Sequence, residues 1–161
     1  MKLSKKSGYT LIEMVMILTL IAILSFGMAV FIVNSMQAWI LISGWESAVT
    51  TARKAMDRMV AELRRIKKPE NILVYTTAEV QFLDIDANTV DFKQSGTNLL
   101  RNTAVLATGL ASPEGLRFTY LNATGEVTGI KQDMRSIRVW LSLSSGAQRT
   151  TLESSARIRN L

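Results

Sequence analysis

Met14–Val33 reads MVMILTLIAILSFGMAVFIV, an uncharged and almost wholly apolar run. As a helix, about 20 such residues cross a ~30 Å hydrocarbon core. No charged residue occurs from Met14 through Trp45. Lys2, Lys5 and Lys6 stand just before the run. The first bases beyond it, Arg53 and Lys54, are distant and diluted by Glu46 and Asp57. Positive-inside counting therefore places the N-terminus in the cytoplasm and the remainder outside. A cleaved secretory signal fits poorly, because the run exceeds the roughly 7–15 apolar residues of such signals and no A-x-A-like site closes it. A plain signal anchor accounts for everything except Glu13. A carboxylate at the mouth of a membrane helix costs about 2–3 kcal/mol if drawn in, and usually has a partner.

Composition narrows the chemistry. The 161 residues contain no Cys and no His, so disulfide scaffolds, thiolate metal sites and histidine general bases are excluded. The formal net charge is +6, which in many proteins signals nucleic acid or an anionic surface. Its location says otherwise. Residues 1–8 hold +3, residues 46–68 hold +4, and residues 69–161 balance nine bases against nine acids. No nucleic-acid partner is expected of so balanced a C-terminal region.

The junction itself reads Lys5-Lys6-Ser7-Gly8-Tyr9-Thr10-Leu11-Ile12-Glu13-Met14. A short basic leader, a Gly, an aromatic, then T-L-I-E and a long apolar helix resemble the class III prepilin signal of type IV pilins and type II secretion pseudopilins. The resemblance implies cleavage after Gly8 by a prepilin peptidase and N-methylation of Tyr9. Lys5 and Lys6 would supply the leader charge. Glu13 would pair with the N-terminal amine of a neighbouring subunit, a sound arrangement where an unpaired ion is costly. Gly8 also has a physical reason, since a residue without Cβ lets a protease approach the backbone. Two departures stand out: Tyr9 replaces the usual Phe, and Val30 stands where many major pilins have a kinking Pro.

From Ala48 the pattern turns amphipathic. Ala48, Ala52, Ala55, Met56, Met59, Leu63 and Ile66 recur at helical steps, with Arg53, Lys54, Asp57, Arg58, Glu62 and Arg65 opposite. The helix is expected to run to Lys68 and stop at Pro69. Arg64, Arg65, Lys67 and Lys68 would then form a last turn matched to the helix dipole. Trp39 and Trp45 read as an aromatic belt at the outer membrane boundary.

After Pro69 the period becomes two. Strands are expected at Val80–Phe82, Val90–Phe92, Arg117–Tyr120, Val127–Ile130, Arg135–Ser144 and about Gln148–Ile158. Turn signals lie at Asp86-Ala-Asn88, Ser95-Gly96, Asn122–Gly125 and Ser145-Gly146. In Arg135–Ser144, Ile137, Val139, Leu141 and Leu143 share one face, and Arg138, Trp140, Ser142 and Ser144 the other.

The expected fold class is therefore α+β and pilin-like, a long N-terminal helix packed on a C-terminal antiparallel meander. Its parts are a leader (1–8), a membrane and assembly helix (9–45), and a domain at 46–161 with an amphipathic helix (46–68) and a sheet (70–161). The order of elements, with Asn98-Leu-Leu-Arg101, Leu116-Arg-Phe-Thr-Tyr120 and a C-terminal Ala156-Arg-Ile-Arg-Asn160, resembles minor pseudopilins, especially the J-type subunit. Glu13 argues against the K-type, which lacks that glutamate. Partners implied are a prepilin peptidase, other minor and major pilins or pseudopilins, an inner-membrane assembly platform and membrane lipid. The implied location is the bacterial inner membrane, with the C-terminal domain in the periplasm.

No nucleophile–base pair or phosphate loop occurs, so no enzyme and no cofactor are expected. Asp84-Ile-Asp86-Ala-Asn88 opens like an EF-hand calcium loop, but Thr89 replaces its Gly and Ser95 its bidentate Glu. A hairpin turn is the expected role, with a metal site at Asp84, Asp86 and Asn88 as the alternative.

Overall fold

The computed structural model describes residues 9–146 and 148–158. The chain divides into two compact units at the Gly44–Trp45 junction. One helix, α1 (Leu11–Leu63), begins in the first unit and supplies the first element of the second.

In the first unit, every described residue from Tyr9 to Gly44 is exposed. Two hydroxyls inside this stretch bond to the helix's own backbone. Thr19 Oγ1 donates to the carbonyls of Val15 and Met16 at 3.1 and 2.9 Å, and Ser43 Oγ to that of Ile40 at 3.2 Å. A helix whose backbone polar groups bond within the helix and whose apolar side chains face outward suits a medium without water.

In the second unit the amphipathic face is buried. Ala52, Ala55, Met56, Met59, Val60, Leu63 and Ile66 enter the core, with Ala48 packed at its edge. They meet two antiparallel sheets. The first orders β1 (Ile72–Tyr75), β2 (Glu79–Leu83), β3 (Thr89–Ser95), β4 (Asn98–Arg101) and β5 (Ala104–Ala107) as a meander. The second orders β6 (Leu116–Leu121), β7 (Ser136–Ser145) and β8 (Gln148–Arg157). The α+β layout of helix on antiparallel sheet is thus as expected. The expected apolar face of β7 is buried, with Ile137, Val139, Leu141 and Leu143 all closed off, but Ser142 of the opposite face is buried as well, between β7 and the segment before β6.

Four expectations are corrected. First, the strands form two sheets rather than one. They are joined where the Phe118 N–H donates to the Thr77 carbonyl at 2.8 Å. Second, Val127–Ile130 is no strand; only Val127 forms an isolated bridge, to Leu121. Third, Trp45 does not serve with Trp39 as an exposed belt. Trp39 is exposed, whereas Trp45 packs against the core of the second unit. Fourth, α1 ends at Leu63, short of Lys68, and no base lies in its last turn. Two tightening bonds close it, from the Arg65 N–H to the Glu62 carbonyl and from the Ile66 N–H to the Leu63 carbonyl, at 2.9 and 3.2 Å. Pro69 holds Lys68 in extended backbone, so the chain cannot stay helical up to it. The cations Arg64, Arg65, Lys67 and Lys68 therefore lie beyond the helix and serve other ends.

Candidate functional site

Of the residues singled out at the N-terminus, Lys5, Lys6 and Gly8 lie outside the described residues. Tyr9 is exposed immediately before α1, and Glu13 lies in its first turn. Glu13 and Thr10 form a capping box. The Glu13 N–H donates to Thr10 Oγ1, and the Thr10 N–H donates to Glu13 Oε2, both at 3.4 Å. Reciprocal bonds of this kind satisfy two of the orphan donors at a helix start. Thr10-Leu-Ile-Glu13 carries the T-x-x-E spacing of such a box, a signal present in the sequence itself. Glu13 thus has a local role of its own, alongside any role toward a neighbour. It stands at the head of an exposed run with no other charge before Glu46.

The structure brings Asp84, Asp86 and Asn88 together in the β2–β3 hairpin. Asp84 Oδ1 accepts the N–H groups of Asp86 and Asn88, each at 2.9 Å, and Ala87 takes a left-handed φ of 62° at the tip. Asp84 Oδ2 accepts Arg65 Nη2 at 3.2 Å, and Asp86 Oδ2 accepts the same nitrogen. The carboxylates therefore hold the turn and anchor the chain leaving α1. Among the described residues, no group of three His, Cys, Asp or Glu side chains is placed to hold a metal ion.

The Asn88 N–H, then the Asp86 N–H and the Arg65 guanidinium, hold the Asp84 carboxyl below the usual carboxylate range, against an opposing effect of burial. A lowered carboxyl stabilises the fold fully above its ordinary value of about 3.9, and loses that contribution as pH falls through the lowered one. We expect the thermal midpoint of the second unit to drop on acidification below that ordinary value. In Asp84→Asn the neutral-pH midpoint should be lower and the acid dependence shallower. Melting curves across acidic pH check both, and an unchanged slope in the variant would count against the assignment.

Two further ties, Arg101 with Glu62 and Arg117 with Trp140, escaped the sequence, whereas the Arg58–Glu62 pair follows from its i,i+4 spacing. Arg101 Nε reaches Glu62 Oε1 and Oε2 at 2.9 and 2.8 Å, joining β4 to α1, while Glu62 also accepts Arg58 Nε at 2.9 Å. Trp140 is half-buried, with the Arg117 guanidinium 4.8 Å from its ring centroid. The aromatic on the polar face of β7 is thus covered by a cation from β6.

Gln94 makes four side-chain hydrogen bonds. Its Nε2 donates to the carbonyls of Gly96 and Ala111, each at 2.7 Å, and its Oε1 accepts the N–H groups of Gly115 and Leu116 at 2.9 and 2.8 Å. It pins the segment before β6 onto β3. That segment is tight: a Cβ on Gly115 would collide with the Ala111 carbonyl oxygen. Gln94→Leu fills similar space but strands these backbone groups. A loss of about 2–3 kcal/mol is expected, read as a shift of the urea midpoint.

No protein-family profile, curated protein or solved structure matches the chain. What stands is a class. Among the described residues there is one helix long and apolar enough to cross a membrane, near the N-terminus, followed by an α+β domain. Such a layout is compatible with a single-pass anchored protein and with a pilin-like architecture.

Proposed function

We propose that the chain is a minor pseudopilin or minor pilin, a structural subunit and not a catalyst. It waits as a single-pass protein in the bacterial inner membrane with its second unit in the periplasm. A prepilin peptidase cuts after Gly8, Tyr9 becomes the methylated N-terminus, and α1 carries the subunit into a filament. Other pilin-like subunits and an inner-membrane assembly platform are its partners. The observation that supports this most is the placement of Glu13. It lies five residues after Gly8, in the first turn of a helix whose next stretch is charge-free and exposed. A neighbour's terminal amine is a fitting partner for such an ion in hydrocarbon.

A second reading is a single-span anchor bearing a periplasmic interaction domain. The capping box favours it, because it gives Glu13 a use that needs no neighbour. Processing separates the two. Co-expressed with a prepilin peptidase, the protein is expected to lose residues 1–8 by intact mass and begin at a methylated Tyr9. An N-terminus still at Met1, with a control prepilin processed in the same cells, would leave only the anchor.

A further inference from the structure

The cations displaced from the helix end line a groove. Arg64, Arg65, Ile66 and Lys67 meet Ile85 of the β2–β3 turn and Ser155 and Arg157 of β8 around a cavity of about 670 Å³. Arg65 is engaged by Asp84 and Asp86. Arg64, Lys67 and Arg157 have no acidic partner among the described residues, and all three are exposed. Among the described residues the lining holds no carboxylate, and Ile85 is an exposed apolar surface on its wall. Such a cavity favours an anionic occupant with some apolar contact.

The backbone along one wall says what kind. In β7, Ser142 turns its N–H to the Gly115 carbonyl and its carbonyl to the Ala111 N–H, away from β8. Ser142 is registered with Thr151, Arg138 with Ser155, and Ser136 with Arg157. In an antiparallel ladder, pairs two residues apart repeat the same bonding state. Ser155 and Arg157 thus direct their own N–H and C=O groups outward from β7, at the free edge of the sheet. An open strand edge takes a further strand through main-chain hydrogen bonds.

We propose that this groove binds an extended acidic peptide segment of a partner protein. The segment adds along the C-terminal half of β8, and its carboxylates meet Arg64, Lys67 and Arg157. Single-stranded nucleic acid is less well matched, because among the described residues no aromatic lines the groove for bases to stack on. A lipid headgroup would answer the charges and leave the strand edge unused. The inference does not depend on filament assembly and holds equally for a plain anchor.

The full chain in neutral detergent micelles tests it, by fluorescence anisotropy. The probe is a labelled peptide of alternating threonine and glutamate, about eight residues long, a length that an ordinary strand pairs. Saturable binding is expected, with little from the lysine counterpart. Arg64→Glu with Lys67→Glu, or Arg157→Glu alone, should weaken it by about tenfold or more. A probe N-methylated at alternate residues should bind as weakly, since it cannot pair with the edge. Circular dichroism checks that the variants fold, and Lys54→Glu serves as a folded control with one charge reversed elsewhere on α1. Equal binding of the lysine peptide, or undiminished binding by the reversed variants, would overturn the proposal. So would full affinity of the N-methylated probe, or displacement by soluble short-chain phosphatidylglycerol as effective as by unlabelled peptide.

Discussion

Phe82→Ala is expected to lower the stability of the second unit by about 3–5 kcal/mol, the range for an aromatic removed from a closed core. Phe82 is fully buried in β2, paired with Val90 across the β2–β3 ladder and with Ile72 across β1–β2. Its ring lies 6.3 Å from that of Phe92, at an interplanar angle of 33°. The neighbours are held by backbone ladders and cannot collapse far into the vacated space, so both the transfer and the cavity contributions are lost. A domain of this size has only about 5–15 kcal/mol in total, so the variant should sit close to unfolding. The measurement is urea unfolding in micelles, followed by the fluorescence of Trp45 and Trp140. The midpoint should fall at constant slope. Leu73→Ala, on an exposed side chain of β1, should move it by about 0.5 kcal/mol or less. If the two variants lose equal stability, the packing described for β2 is wrong.

Glu13→Gln should abolish incorporation into a filament while leaving cleavage intact. The reasoning turns on what glutamine preserves. It still accepts the Thr10 N–H, so the capping box survives and α1 starts where it did. It cannot carry the charge that would pair with a neighbour's terminal amine. Removing one partner of an ion pair in a low-dielectric site costs about 3–5 kcal/mol. That is more than a hundredfold in an association constant. Glu13→Ala loses both roles and should assemble no better. Co-purification with other pilin-like subunits after cross-linking reports assembly, and intact mass reports cleavage. If Glu13→Gln assembles as the native chain does and Glu13→Ala does not, the residue acts through its cap and the ion-pair latch is refuted.

Much of the fold is legible in the amino-acid sequence. The apolar run forms one helix, and the amphipathic steps of Ala52 through Ile66 and the apolar face of β7 are periodic signals that burial follows. The short strands β1, β4 and β5 are not legible in the sequence, because four residues carry little periodicity. Val127–Ile130 looked like a strand by residue type, yet Val127 and Ile130 are exposed with only a single bridge to hold them. Trp45 shows the same limit. An aromatic beside an apolar run suits a membrane boundary or a core edge equally well, and only its neighbours decide.

The candidate sites divide in the same way. The leader, Gly8, Tyr9 and Glu13 form a contiguous string, so their spacing was visible, and so was the T-x-x-E box within it. Arg65 with Asp84 and Asp86, Glu62 with Arg101, and the reach of Gln94 to the segment before β6 span long stretches of chain. No local pattern marks such pairs.

The amino-acid sequence by itself determined the membrane-length helix, the side on which the charges gather, and the face that enters the core. Lipid crossing and helical burial depend on length, charge and a short repeat, all of which run along the chain. Only the tertiary structure decided that the strands close as two sheets, that α1 stops at Leu63, and that the freed cations meet Ile85 and the open edge of β8. Those outcomes rest on hydrogen-bond register and on packing between distant segments, which become settled only when the core closes.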